Sequence, residues 1–149
     1  EYLLLSSFDA EDASILSEYE LSRIAPELWP KLCFKLHPSV HFFPYQWNIL
    51  PIWKALKQKT SPPDPMQLPH PEHCLIWREN LQCHHKTLSA IEYATLLALS
   101  AGNTFESLCA QLEPHFAEES ALSMAKYLRA WIGSGLLASP VHDSQEKSA

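Results

Sequence analysis

Between His73 and Ala138 the sequence sets its structural signals in an order that few folds share. A short apolar run, Cys74-Leu75-Ile76-Trp77, and a second run from Leu81 to Leu88 flank the polar pair Glu79-Asn80. The pattern predicts a hairpin whose two-residue turn at Glu79-Asn80 pairs Trp77 with Gln82 and Ile76 with Cys83. Strand side chains alternate, so Cys74, Ile76, Cys83 and His85 share one face and Leu75, Trp77, Gln82 and His84 the other. Three helices follow. Ser89-Ala90-Ile91-Glu92 is a capping box that opens the first, and Gly102 ends it. Thr104 caps the second, with Phe105, Leu108, Cys109 and Leu112 on one face, and Pro114 stops it. The third spans Glu118 to Ile132 before Gly133. A hairpin followed by three short helices reads as a winged helix-turn-helix-like unit in an α+β fold. Such units bind nucleic acid or an extended peptide.

Upstream, residues 1–60 read as helical pieces and irregular strand. Tyr2-Leu3-Leu4-Leu5 resembles the end of a helix that begins further back, and Pro26 and Pro30 bracket a short turn. Cys33 to Trp47 has strand composition, but Pro38 and Pro44 confine it to an edge or force a bend. This strand is expected to complete the hairpin's sheet. Asn48 is a plausible N-cap for a helix to about Lys59, with Pro51 in its first turn and Lys54, Lys57 and Lys59 on its exposed side. Five prolines between Ser61 and Pro71 mark 61–71 as an extended linker, the best internal boundary. The recognition unit is then 72–138, and 139–149 is a disordered tail.

Charge separates the functions such a shape offers. The net charge of the chain is −6. Residues 72–138 hold four basic side chains (Arg78, Lys86, Lys126, Arg129) against seven glutamates, and Thr104 to Leu112 has no Lys or Arg at all. Groove readers need cations for affinity and Arg, Asn or Gln for base edges. DNA binding is therefore the runner-up, as a winged-helix regulator-like module. Three glycines leave no phosphate-cradling loop, and neither G-x-S-x-G nor H-E-x-x-H occurs, so no catalytic activity is expected. Cys33, Cys74, Cys83 and Cys109 lack C-x-x-C spacing and read as buried free thiols of a reducing cytoplasm. Of the hairpin's Cys and His residues only Cys74, Cys83 and His85 share a face, and a metal site there is a distant third reading. No cofactor is expected. No apolar run reaches the ~18–20 residues of a membrane span.

The third helix carries two apolar stripes. Leu122, Ala125, Leu128 and Ile132 are the expected core stripe, and Met124, Tyr127 and Trp131 form a second that self-packing does not obviously need. The second stripe suggests a groove wall beside a sheet edge, where a peptide adds as a strand. The expected peptide-contacting residues are Leu75, Trp77, Gln82 and His84 on the hairpin, with Met124, Tyr127 and Trp131 opposite.

The order hairpin, capped helix, Gly102-Asn103-Thr104-Phe105 helix start, third helix and Gly135-Leu136-Leu137 resembles the PqqD-type peptide-recognition domains, or RiPP recognition elements. More closely, Phe34-Lys35-Leu36-His37-Pro38-Ser39-Val40, then Trp47, Leu50 and Trp53, the proline segment, Leu75-Ile76-Trp77-Arg78 and Leu88-Ser89-Ala90-Ile91-Glu92 resemble the bufferin-maturation partner proteins (BufC/HvfC type). The resemblance covers most of residues 1–138 and corresponds to the C-terminal part of that family. It implies a cytoplasmic, non-catalytic partner of a multinuclear non-heme iron oxidative enzyme. Such a partner binds a ribosomally made precursor peptide and presents it to the enzyme.

Overall fold

The computed structural model describes residues 1–139. The expected tail therefore lies outside the described residues except for Ser139. That residue is tied in: its N–H donates to the Ser14 carbonyl and its hydroxyl to Glu20.

A three-stranded antiparallel sheet organises the chain in the order β2-β3-β4, with β2 at His41–Trp47, β3 at Gln67–Glu79 and β4 at Gln82–Leu88. The hairpin turn falls on Asn80-Leu81, one residue later than expected, and pairs Glu79 with Gln82, Trp77 with His84 and Ile76 with His85. Both turn residues have positive φ (50° and 62°), as a type I′ turn requires. Asn80 takes that conformation readily, which favours it at the first turn position over Glu79. Moving the turn by one residue moves both strands together, so the facial grouping is unchanged.

The strand expected within 33–47 divides at Pro38-Ser39. Its first part, β1 (Lys35–Leu36), pairs with β5 (Leu137–Ala138) in a separate small sheet, and only β2 joins β3. The proline segment also differs from expectation. Irregular chain occupies 61–66, and β3 already begins at Gln67, so Pro69 and Pro71 lie within a strand. They are tolerated because β4 ends opposite His73, which leaves 67–72 with β2 as its sole partner strand. Residues 1–60 and 72–138 thus contribute to one sheet rather than standing apart across a linker.

Each face of the sheet is covered. Leu75, Trp77 and Leu88 point into the main core with Leu96 and Leu99 of α4 (Ala90–Ser100), Leu108 and Leu112 of α5 (Phe105–Phe116), and Met124, Leu128, Trp131 and Ile132 of α6 (Ser120–Gly133). Tyr45, Cys74 and Ile76 point the other way, under α1 (Tyr2–Phe8) and α3 (Ile49–Lys57), where Leu3, Leu4 and Leu50 pack on them. The sixth and shortest helix, α2 (Glu18–Ser22), opens with a complete capping box of Ser17 and Glu20. The described residues form an α+β layer structure with six α-helices.

Local signals explain most helix ends. Ser89 and Thr104 accept the N–H groups of Glu92 and Ser107. Pro114 does not stop α5, which runs two residues further and turns at Ala117 (φ 48°). The proline forfeits its own N–H bond, yet the last turn still closes from Ala117 N–H to the Glu113 carbonyl. After α6 the reversal falls on Gly135 (φ 70°) rather than Gly133. A Cβ at Gly135 would meet the Ile15 side chain at 3.2 Å. Asn48 occupies the N-cap position of α3 but makes no capping bond. Its side chain donates to the Asp64 carbonyl and accepts the Met66 N–H, clasping the proline segment instead.

Candidate peptide-docking edge

The two edges of the sheet differ in what they offer another strand. Arg78 gives its backbone N–H to Ser39 Oγ, on the β2 side. By antiparallel alternation Ile76 and Cys74 also turn their backbone groups to β2, while Glu79, Trp77 and Leu75 turn theirs to β4. On β2 the outward positions are then Phe42, Pro44 and Gln46, so the middle donor is missing. The register also shifts between Tyr45 and Trp47. Proline and a bulge are devices that blunt an edge. On β4 the outward groups belong to Cys83, His85 and Thr87, all with N–H donors, along seven residues free of proline or bulge.

Charge does not guard β4 either. Its one charged side chain, Lys86, donates at 2.9 Å to Glu92 Oε1 at the start of α4. The same oxygen accepts the Trp131 indole N–H at 3.0 Å, and the Trp131 ring stacks on Tyr127 at 5.6 Å with 6° between planes. Glu92 therefore ties the edge strand to α6 through one carboxylate. A full capping box would return that carboxylate to the Ser89 N–H, but it reaches across to β4 and α6.

The expected contact residues separate into two groups. Leu75, Trp77, Met124 and Trp131 are buried in the main core and are corrected from contact surface to packing. Gln82 is exposed, and His84 and Tyr127 are half-buried, with His84 stacked on Trp77 at 5.4 Å. The error on α6 has a geometric cause. At about 100° per residue, Met124, Tyr127, Leu128, Trp131 and Ile132 fall on one continuous arc, whereas Leu122 and Ala125 lie outside it. Leu122 is 53% exposed, and Ala125 is exposed as well. The buried face joins the second stripe to Leu128 and Ile132 of the first, and leaves Leu122 and Ala125 to solvent. Lys86, Glu92 and the backbone of Cys83, His85 and Thr87 were absent from the expected site. The signal for Glu92 was present but also fits simple capping.

The Cys and His residues of the hairpin do not converge on a metal geometry. Cys74 and Cys83 donate to the Leu75 and Leu4 carbonyls, and the His85 ring meets Trp53 edge-on at 4.8 Å. No group of three or more metal-ligating side chains assembles among the described residues. Burial pushes the Cys74 thiol up, disfavouring the thiolate. Of the four free thiols Cys74 alone is buried, while Cys33 is exposed, contrary to the expectation of uniformly buried cysteines. The Lys57 ammonium lies 5.0 Å from the Trp53 ring centre. No helix among the described residues is long and apolar enough to cross a membrane. Compared with protein-family models, with curated proteins and with solved structures, the chain matches none.

Proposed function

We propose that this chain is a non-catalytic peptide-recognition protein of the winged-helix-like, PqqD type. It takes an extended segment of a ribosomally made precursor as a fourth strand along β4 and presents it to a multinuclear non-heme iron oxidative enzyme. The observation that carries the reading is the asymmetry of the sheet. One edge is closed by Pro44 and a register shift; the other presents Cys83, His85 and Thr87 unguarded. In strand addition the backbone supplies affinity and alternate side chains supply specificity. On the α6 side those side chains would meet His84, Lys86 and Tyr127, and on the other side His85 and Thr87. The resemblance to bufferin-maturation partner proteins supplies the enzyme class and the precursor.

Proline scanning of the edge tests this reading. At His85 the N–H points outward, so His85→Pro removes a docking donor and leaves the β3–β4 ladder whole. The expected result is a folded protein, with native amide dispersion, that binds a precursor leader peptide at least about tenfold more weakly, the loss of one to two backbone bonds. Amide shifts in the wild type should concentrate on Cys83 to Thr87 and α6. Undiminished binding by His85→Pro, or shifts confined to the Lys54–Lys59 region, would overturn the docking edge. Duplex DNA is the control ligand, and a salt-sensitive nanomolar complex with it would favour the regulator-like reading instead.

A further inference from the structure

The outer face of the sheet contains a pocket that shares only His85 with the docking edge. It is a pocket half open to solvent, of about 230 Å³, between the sheet, α1 and α3. Leu4, Leu50 and Trp53 form its roof and walls, and Phe43, Ile76 and His85 rise from the strands. Its mainly apolar walls would take more area from water by closing on one another. Here polar anchors outside the cavity hold both covering helices. On α1, Ser7 donates to the Ser39 carbonyl at 2.7 Å, Cys83 reaches the Leu4 carbonyl, and Arg78 reaches the Phe8 carbonyl. On α3, the Asn48 clasp fixes the first turn. The gap is held open by bonds that closing would break.

Its chemistry selects the occupant. A water needs two to four polar partners, and the walls give few. The Cys74 thiol in the floor is spent on the Leu75 carbonyl, and the His85 ring is turned edge-on to Trp53. An apolar void of about 150 Å³ stays dry and takes benzene, so this larger one has room for a ring up to about the size of indole. The one carboxylate of the lining, Glu1, repels an anion, and the remaining walls are mainly apolar. Phe43, Trp53 and His85 line the pocket with aromatic rings, to which another ring can stack or pack edge-on. We propose that this pocket is a binding site for one aromatic ring without negative charge, of benzene to indole size. Such a ring arrives either as a free small molecule or as an aromatic side chain.

Titration of the full chain, isotope-labelled, with indole and separately with N-acetyl-tryptophanamide tests the site and distinguishes the sources. Indole should give saturable one-to-one shifts at Leu4, Leu50, Ile76 and the Trp53 indole N–H, with a dissociation constant on the order of a millimolar or below, as suits so few atoms. Saturation by indole alone assigns the site to a free molecule; saturation by both ligands assigns it to a ring that a peptide can carry. Leu50→Trp fills the cavity and should weaken binding by more than about tenfold, the loss of the apolar area the ring buries. Should that variant not fold, Cys74→Met fills the same space from the floor with a flexible chain. The proposal is overturned if neither ligand saturates, or if a folded, filled variant binds as well as the wild type.

Discussion

Trp131 and Glu92, on helices separated by a whole helix in sequence, are joined by a 3.0 Å hydrogen bond from indole N–H to carboxylate Oε1. The bond satisfies the polar atom of a fully buried indole and fixes the carboxylate that also holds Lys86. Removing the acceptor strands a buried donor, at a cost of about 1–3 kcal/mol, whereas an isosteric amide retains one acceptor. Glu92→Ala should therefore lower unfolding free energy by about that amount and Glu92→Gln by less. Urea unfolding of the two variants checks the order. Equal losses would mean that the carboxylate's charge on Lys86, rather than the indole bond, dominates.

Trp131 and Tyr127 were expected to play one role, and the structure assigns them two. Trp131 is fully buried; Tyr127 covers it and remains half-exposed. Trp131→Ala should cost about 3–5 kcal/mol, as truncation of a buried aromatic does. Tyr127→Ala should cost no more than about half of that, because it forfeits one stacked pair and partial burial. Thermal melts compare them directly, and similar losses would place Tyr127 in the core too.

What was legible follows from what periodicity encodes. The hairpin's faces were readable because alternation survives a one-residue error in the turn. The helix starts at Ser89 and Thr104 were readable because capping is local. The Cys33–Trp47 stretch was not, since its composition says strand without saying which of two partners each half will find. Pro69 and Pro71 misled because proline excludes a donor from a ladder, and only the full register shows that β4 stops short of them. On α6, spacing alone could not choose between adjacent stripes, and the buried face takes residues from both. The docking edge itself is the least legible feature. It depends on which backbone groups face outward, and no side-chain pattern states that.

Asn48 is a small residue with a long reach. Its amide makes two bonds to the 64–66 segment, which is otherwise exposed, and it thereby pins the chain entering β3. Asn48→Ala should cost about 1–3 kcal/mol, for the two bonds lost. Limited proteolysis should then cut within 61–66 much faster than in the wild type, while the α4–α6 core stays protected. Unchanged cleavage would show that the prolines and the backbone bond from Asn48 N–H to the Met66 carbonyl hold the segment without the side chain.

Titration at the outer face gives stability two opposed pH limits. Tyr45 donates to Glu72 at 2.6 Å, and burial together with that bond pushes its pKa up to about 12. An acid held protonated in the fold stabilises below its unfolded value near 10, and the contribution is lost as pH rises from about 10 to about 12. On the acid side, burial holds His41 below the ordinary imidazole value, and its Nε2 is buried without a partner. His85 is lowered by burial first and then by the charges of Lys57 and His84. A lowered histidine binds its proton more readily when unfolded, so stability is present above about 6.5 and falls as pH drops below it. Unfolding free energy across pH should therefore decline at both ends. Tyr45→Phe should flatten the alkaline limb relative to the wild type, and His41→Leu should flatten the acid limb. If Tyr45→Phe leaves the slope between pH 10 and 12 unchanged, the Tyr45–Glu72 bond is not what titrates there.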